Sequence, residues 1–263
     1  MAEKKEENNT EEVFHAEVVN PDEFLNPEEI VGSVNFNAEE ILKPEEIEVV
    51  PEEIEVVEAE RLSFPYDEER MNWLKLLLDS YQRMDTGVDL GIRLEAEKRG
   101  KKLACHKGCS SCCITHGEIP VYPLELVGIT WYVTEKTGGE KRKKIRESLE
   151  KHQPGDPCPF LLDHECSIHP MRPLACRQFN VFNKVCEEGE DAYYTRPEDV
   201  LRPLKTYIQD AFNFTLPFYG VTDEEQRLII LETGKHHKMA QPMQNMNWKT
   251  LIEKMDAWDL SKN

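Results

Sequence analysis

The stretch "CHKGCSSCC", residues 105–113, holds four of the eight cysteines of the chain. Its spacing is C-x3-C-x2-C-C. On an α-helix, Cys105, Cys109 and Cys112 would share one narrow face, whereas Gly108 and the two serines fit a loop equally well. Both geometries allow three sulfurs to converge on one inorganic centre. The adjacent pair Cys112–Cys113 is a poor disulfide, because a bridge between neighbours strains the peptide bond that joins them.

A second cysteine segment, "CPFLLDHECSIHPMRPLACRQF", covers residues 158–179 and is followed by Cys186. Its prolines predict irregular structure up to Pro173, and a bound metal can supply the folding energy that such a segment lacks. Thiolates select zinc, iron–sulfur centres or copper(I). Seven or eight thiolates are more than one four-coordinate site needs. Either two centres exist, or some cysteines are packing residues.

The acidic charge of the chain is concentrated at its start. Residues 1–60 carry three basic and twenty acidic residues, which accounts for −17 of the net charge of −19. The nearly neutral remainder argues against nucleic-acid binding, which needs a clustered positive surface. No run of eighteen apolar residues predicts a membrane span, and the N-terminus lacks the apolar region of a secretory signal. We therefore expect a cytoplasmic protein, in which structural disulfides are rare.

These features predict two parts. Residues 1–60 are expected to form a disordered acidic tail, in which "PEEIEVV" occurs at 44–50 and again at 51–57. The repeat is either a solvated linker or a tandem docking motif for a protein partner. Residues 61–263 are expected to form one mainly α domain with an irregular, proline-rich metal-binding segment and a motif core at 103–186. Helical periodicity places the helices at 63–85, 87–100, 121–139, 140–152, 196–214, 222–235 and 247–258.

Together, the two cysteine segments resemble the YkgJ-type cysteine-cluster family, a zinc- or iron-chelating domain that includes the flagellin lysine N-methylases of the FliB type. The motifs C-x3-C-x2-C-C, C-P-F-L, C-S-I and R-P-x-x-C-R follow in order between Leu103 and Phe179. His169 stands where the family often has tyrosine, so it remains a candidate for an additional metal ligand. Cys186 lies outside the core motif. The resemblance implies seven metal ligands: Cys105, Cys109, Cys112, Cys113, Cys158, Cys166 and Cys176.

Three functions fit this sequence, and no catalytic residue is assigned. The first is a cytosolic metal-binding protein with an iron–sulfur cluster, of the 4Fe-4S type, or zinc; C-x3-C beside a vicinal pair is unlike common zinc knuckles and favours iron. The second is a lysine N-methylase similar to the FliB type. The third is a metal-stabilised adaptor that docks a partner through the tail. Arg172 and Arg177 either bind loop carbonyls or offset thiolate charge, and Glu125 is taken as an ordinary polar residue.

Overall fold

A computed structural model gives the fold of residues 55–262, so most of the predicted tail, residues 1–54, and Asn263 lie outside the described part of the chain. The described residues are mainly α-helical, which confirms the predicted fold class. The helix that begins at Pro123 continues past Trp131 through a π-helical turn at Tyr132–Lys136. The α-helices of this part are Pro65–Arg70 (α1), Asn72–Arg99 (α2), Ser111–Thr115 (α3), Pro123–Trp131 (α4), Gly139–Lys151 (α5), Leu174–Gln178 (α6), Ala192–Thr195 (α7), Lys205–Thr215 (α8), Glu224–Glu232 (α9) and Lys249–Ser261 (α10).

Two small antiparallel pairs of strands accompany the helices. Strand β1, Pro120–Val121, pairs with β4, Gln241–Pro242, so the start of α4 is tied to the C-terminal region. Strand β2, Leu161–Leu162, pairs with β3, Glu165–Cys166, inside the second cysteine segment. The sequence analysis predicts no strands, because two-residue strands are too short to show an alternating pattern.

Helix α2 is the central element, and it is one helix where the sequence predicts two. The expected break falls at Gly87, which instead lies inside α2. A Cβ atom at Gly87 would lie 2.4 Å from the Cβ of Tyr207 on α8. Glycine is therefore needed here for the close approach of two helices and does not end the first one. The helix does end at Gly100, whose φ of 64° forms a left-handed C-terminal cap.

The interior consists of two main clusters of apolar side chains. In the first, Leu74, Leu77 and Tyr81 of α2 are buried and pack with residues of α8 such as Ala211 and Phe212. The second joins α4, α5 and α10 through residues that include Ile129, Ile145, Leu251 and Met255, and it extends to the second cysteine segment. The irregular segment is thus attached to a conventional helical core.

The predicted helix at 196–214 is wrong over its first half. The structure has a 3₁₀ turn at Pro197–Asp199 and starts α8 only at Lys205. Pro203 explains the difference, because it disfavours helical geometry in the residue before it and lacks the N–H that a helix interior requires.

The last six residues of the predicted tail, 55–60, lie along α2. The backbone N–H of Ala59 donates to Oγ1 of Thr86 (3.0 Å), and Nε2 of Gln82 donates to the carbonyl of Ala59 (3.1 Å). Among the described helices, none combines the length and the apolar character that crossing a membrane would require.

Candidate metal centre

The first cysteine segment is a loop that leads into one short helix. Gly108 has a φ of 83°, and the N–H of Cys109 donates to the carbonyl of His106 (2.9 Å), so Cys105 and Cys109 lie on a turn. Only Cys112 and Cys113 lie on a helix, α3. Successive residues of a helix are about 100° apart around its axis. The Cβ atoms of Cys112 and Cys113 therefore lie about 100° apart around the axis of α3, although their thiols still reach each other.

The second cysteine segment joins the first through the backbone. The N–H of Cys158 donates to the carbonyl of Cys113 (2.8 Å). Farther along, β2 and β3 form a hairpin that places Cys166 opposite Leu161. Its two turn residues, Asp163 and His164, both have positive φ, 50° and 64°; this is the geometry of the tightest hairpin turns, and aspartate tolerates it well.

The C-S-I and C-P-F-L motifs have a structural role in this hairpin. Ser167 donates to the carbonyl of Phe160 through both its backbone N–H and its hydroxyl, each at 2.8 Å. The ring of Phe160 is fully buried and contacts Trp248 edge to face, with ring centroids 5.1 Å apart. These contacts fix the base of the hairpin, and with it the neighbouring Cys158 and Cys166.

Arg177 positions the third cysteine-bearing element, α6. Its guanidinium donates to the carbonyls of Pro170 (2.6 Å) and Arg172 (3.0 Å) and to the carboxylate of Asp85 on α2 (2.5 Å). Only 4% of Arg177 is exposed. Of the two predicted roles for this arginine, the structure gives it the binding of loop carbonyls, which holds α6 and Cys176 in place.

Arg172 differs from Arg177 in its contacts. Its Nε is buried and has no hydrogen-bond partner in the described part of the structure. Its positive charge favours the thiolate form, and so a lower pKa, at Cys112, Cys166 and Cys176. An unpaired buried guanidinium nitrogen is costly, and it lies where charge on several sulfurs would offset that cost.

The eight cysteines are free thiols that lie close enough to affect one another. Burial raises the pKa of Cys105 to about 11, and the charges of Cys109 and Cys112 add to the effect. The thiol of Cys112 shares a hydrogen bond with Cys113, which raises the pKa of Cys112 and lowers that of Cys113. A hydrogen bond with Cys158, together with burial, outweighs this and raises the pKa of Cys113 to about 12.

Cys166 and Cys176 belong to the same set of interacting thiols. Burial raises the pKa values of Cys166 and Cys176, and the charge of Cys112 raises both further. All seven predicted ligands thus interact with at least one other member of the set. Such thiols stay protonated unless a cation stabilises them, and metal binding displaces their protons.

The donor chemistry fits a zinc or iron centre, since thiolates select these metals and the orphaned Nε of Arg172 matches a negatively charged set of ligands. Within residues 55–262, no three Cys, His, Asp or Glu side chains have the arrangement of a formed metal site. Three of the thiols, those of Cys112, Cys113 and Cys158, are instead linked to one another by hydrogen bonds. Binding therefore requires thiol side chains to turn from each other toward a common ion.

The histidines near the cysteines have other contacts. Nε2 of His116 lies 3.2 Å from the carboxylate of Asp191, and its ring packs edge to face on Phe179. His106 lies with Nδ1 3.2 Å from the carbonyl of Ala104. Burial and the charges of the two neighbouring arginines lower the pKa of His169. His169 therefore stays neutral at pH 7, as a ligand must be, but the structure brings no set of donors around it.

The sequence analysis left Cys186 outside the predicted ligands and took Glu125 as an ordinary polar residue, and the structure gives both specific contacts. Cys186 lies within reach of Arg196, whose Nη2 donates to its sulfur at 3.7 Å. Glu125 is 1% exposed, and its carboxyl accepts hydrogen bonds from the N–H groups of Leu174 (2.6 Å) and Tyr122 (2.9 Å). Burial raises the pKa of Glu125 to about 7. Its place three residues after Tyr122 at the start of α4 is the capping position that could have revealed it.

Comparison with known proteins gives one match. Residues 104–198 match the family model CxxCxxCC, described as "Putative zinc- or iron-chelating domain". The matched range contains the seven predicted ligands and also Cys186. Neither the curated proteins nor the solved structures contain a significant match to the chain. The relation to FliB-type methylases stays a prediction.

Proposed function

We propose that residues 104–198, which belong to this cysteine-cluster family of zinc- or iron-chelating domains, hold an iron–sulfur cluster through their thiolates. The observation that carries the proposal is the convergence of partly buried thiols beside Arg172. Cys112, Cys166 and Cys176 come from separate segments, and each is affected by this one guanidinium, whose Nε has no other partner in the described structure.

The local geometry supports iron over zinc. Zinc knuckles place their ligands in pairs on tight turns, typically with two to four residues between the two cysteines of a pair. Here the ligand candidates come from a loop, the helix α3, a hairpin and the helix α6. Ligation by cysteines alone, with uneven spacing, is typical of iron–sulfur clusters. A bound iron–sulfur cluster would supply one-electron redox chemistry, whereas zinc would supply structural stabilisation.

The residues around the thiols have distinct tasks in this proposal. Arg172 offsets the negative charge that several thiolates bring to one place. Arg177 holds α6 against α2 through Asp85, so that Cys176 has a fixed position. Residues 113 and 158 are tied by a backbone hydrogen bond, so the two cysteine segments present their sulfurs together. A reducing compartment such as the cytosol is part of the proposal, because the thiols must stay reduced.

Purification of the full chain without oxygen tests the metal. We expect a brown protein with broad absorbance near ~400 nm, typical of thiolate-to-iron charge transfer, and with iron and sulfide in the purified sample. A colourless protein with stoichiometric zinc would refute the iron cluster and retain metal chelation. A folded chain that binds neither metal would refute both.

Paired variants test the ligands. Cys113→Ala should lose metal, because the thiol of Cys113 contacts a thiol of each cysteine segment, Cys112 and Cys158. Ser110→Ala is the matched control: Ser110 lies in the same loop, and its side chain makes no capping hydrogen bond to α3. If Cys113→Ala keeps the metal content of the control, Cys113 is not a ligand.

Docking of a protein partner through the acidic tail also stays a proposal. The tandem "PEEIEVV" copies at 44–50 and 51–57 support it, since two copies raise the local concentration of a weak motif. Pull-down with the isolated peptide 40–60, compared with a peptide of scrambled order and equal charge, tests whether the order of residues matters. Equal capture by both peptides would show that the tail acts only through its charge.

A further inference from the structure

Packing divides the eight cysteines into two groups of four. Cys113, Cys158, Cys166 and Cys176 all belong to, or pack against, the second hydrophobic cluster. The apolar clusters of the described residues include none of the other four, Cys105, Cys109, Cys112 and Cys186. We refer to these sets as the inner group and the outer group.

The inner group is held together by the irregular segment. Cys158 is hydrogen-bonded through its backbone to Cys113, and its own carbonyl accepts a hydrogen bond from the N–H of Leu161 (3.0 Å). Leu161 is the residue opposite Cys166 in the hairpin. The side chains of Cys113 and Cys158 also share a hydrogen bond. The inner group thus surrounds the base of the hairpin, against the helical core.

Two isolated backbone bridges lie next to the outer group, near Cys105 and before Cys186. Leu103 pairs with Phe182, and Val181 pairs with Val200, so the chain before Cys105 lies beside the chain that leads to Cys186. The sulfur of Cys105 accepts a hydrogen bond from the N–H of Val181 (3.3 Å). Cys186 lies close enough to Cys105 to raise the pKa of its thiol, although burial is the larger cause.

A guanidinium lies near members of each group. Arg172 faces members of the inner group and Cys112. Arg196 donates to the sulfur of Cys186, and it is held in place by Glu190 (2.8 Å) and Asp199 (3.1 Å). Arginine beside a sulfur favours a charged thiolate over a neutral thiol.

We infer that the eight thiols form two separate four-thiolate metal centres, with the boundary at the peptide bond between Cys112 and Cys113. The inner centre takes Cys113, Cys158, Cys166 and Cys176. The outer centre takes Cys105, Cys109 and Cys112 and is completed by Cys186, which lies outside the core motif. The inference rests on the proposed metal binding and assigns which thiols share a metal.

The vicinal pair explains how one short helix can serve both centres. Cys112 and Cys113 share a hydrogen bond while both are thiols. Because neighbouring positions of a helix differ by about 100°, the two side chains can turn apart to opposite sides of α3. Four thiolates satisfy one zinc ion or one cubane cluster, so eight thiolates in two sets leave none spare.

Two single variants of the full chain test the division, each with one thiol removed from one group: Cys186→Ala for the outer group and Cys166→Ala for the inner group. Metal content is measured after anaerobic purification. The remaining cysteines are then alkylated in the folded protein and located by mass spectrometry. Ser110→Ala serves as the control. We expect each variant to retain about half of the wild-type metal.

Alkylation should identify the partners of each lost thiol. In Cys186→Ala, Cys105, Cys109 and Cys112 should become reactive, while the inner group stays protected. In Cys166→Ala, the pattern should reverse. Cys186 lies in a partly exposed loop outside both apolar clusters, so its replacement leaves the helical core intact and is the decisive variant even if Cys166→Ala fails to fold.

The outcomes separate this inference from the proposed function. A wild-type chain that binds no metal refutes both. Metal-loaded wild type with a Cys186→Ala variant that keeps its full metal content refutes the inference alone. Loss of all metal from Cys186→Ala, with all remaining thiols reactive, also refutes the inference, because it indicates one shared centre.

Discussion

Replacing Glu125 by glutamine should remove a pH dependence from the stability of the fold. The carboxyl of Glu125 joins the start of α4 to the start of α6 through the N–H groups of Tyr122 and Leu174. Burial raises its pKa from 4.5 to about 7, against the opposing effect of the two hydrogen bonds and of Arg177. The folded protein therefore binds this proton more tightly than the unfolded chain does.

The sign and the size of the contribution of Glu125 to the free energy of unfolding follow from this difference in proton affinity. A carboxyl group with a raised pKa in the folded state contributes stability below about pH 4.5, and the contribution is lost as the pH rises to about 7. Each pKa unit is worth about 1.36 kcal/mol, so the loss is about 3 kcal/mol. Glutamine is neutral at every pH but has one acceptor oxygen, so it leaves the N–H of Tyr122 or of Leu174 without its partner, at a cost of about 1–3 kcal/mol.

Urea unfolding at pH 5.0, 6.5 and 8.0, followed by circular dichroism at equal metal content, measures the effect. Glu125→Gln should be less stable than the wild type at pH 5.0, and the gap should close or reverse by pH 8.0. Comparing the two proteins cancels the contribution of buried histidines such as His237, whose pKa burial lowers to about 4. Glu97→Gln, on an exposed part of α2, is the control. A gap between Glu125→Gln and wild type that stays constant with pH would refute the reasoning.

Three further predictions concern packing, the thiols and the tail. Gly128→Ala should lower the free energy of unfolding by about 1–3 kcal/mol, measured as a shift of the urea midpoint, because the new Cβ would lie 2.3 Å from Cδ2 of Leu77; an unchanged midpoint would contradict this contact. Metal binding should release protons at pH 7, since the pKa values of Cys105 and Cys113 are about 11 and about 12, and calorimetric heats that do not vary with the ionisation enthalpy of the buffer would argue against it. Deletion of residues 1–54 should leave the metal content unchanged, and a loss of metal would show that the tail takes part in the site.

Local patterns predicted the elements that depend on local physics. The helical spacing of Leu74, Leu77 and Leu78 placed the core face of α2, and the prolines placed the start of α6 after Pro173. The continuity of α2 through Gly87 could not be predicted, because it depends on Tyr207, a residue 120 positions away. The late start of α8 at Lys205 has a local cause, Pro203, which stands inside an otherwise helical pattern.

In the candidate site, too, the sequence predicted the local features but not those that depend on distant contacts. The density of cysteines at 105–113 and the R-P-x-x-C-R motif were visible in the sequence. The different tasks of Arg172 and Arg177 were not, because they depend on which guanidinium reaches Asp85 and the loop carbonyls. The proximity of Cys186 to Cys105 depends on bridges between short extended segments, which have no sequence signal of their own.

The hydrogen bond between Cys158 and Cys113 has a consequence for how the chain can vary in length. The hydrogen bond holds together the two ends of the segment between them, residues 114–157. The turn that precedes α5 ends at the exposed Gly138, and the exposed Gly139 is the first residue of the helix. Extra residues inserted there would lengthen the segment 114–157 without moving its two ends. This turn is where a reporter peptide or a fluorescent domain could be built into the chain with the spacing of the thiols preserved.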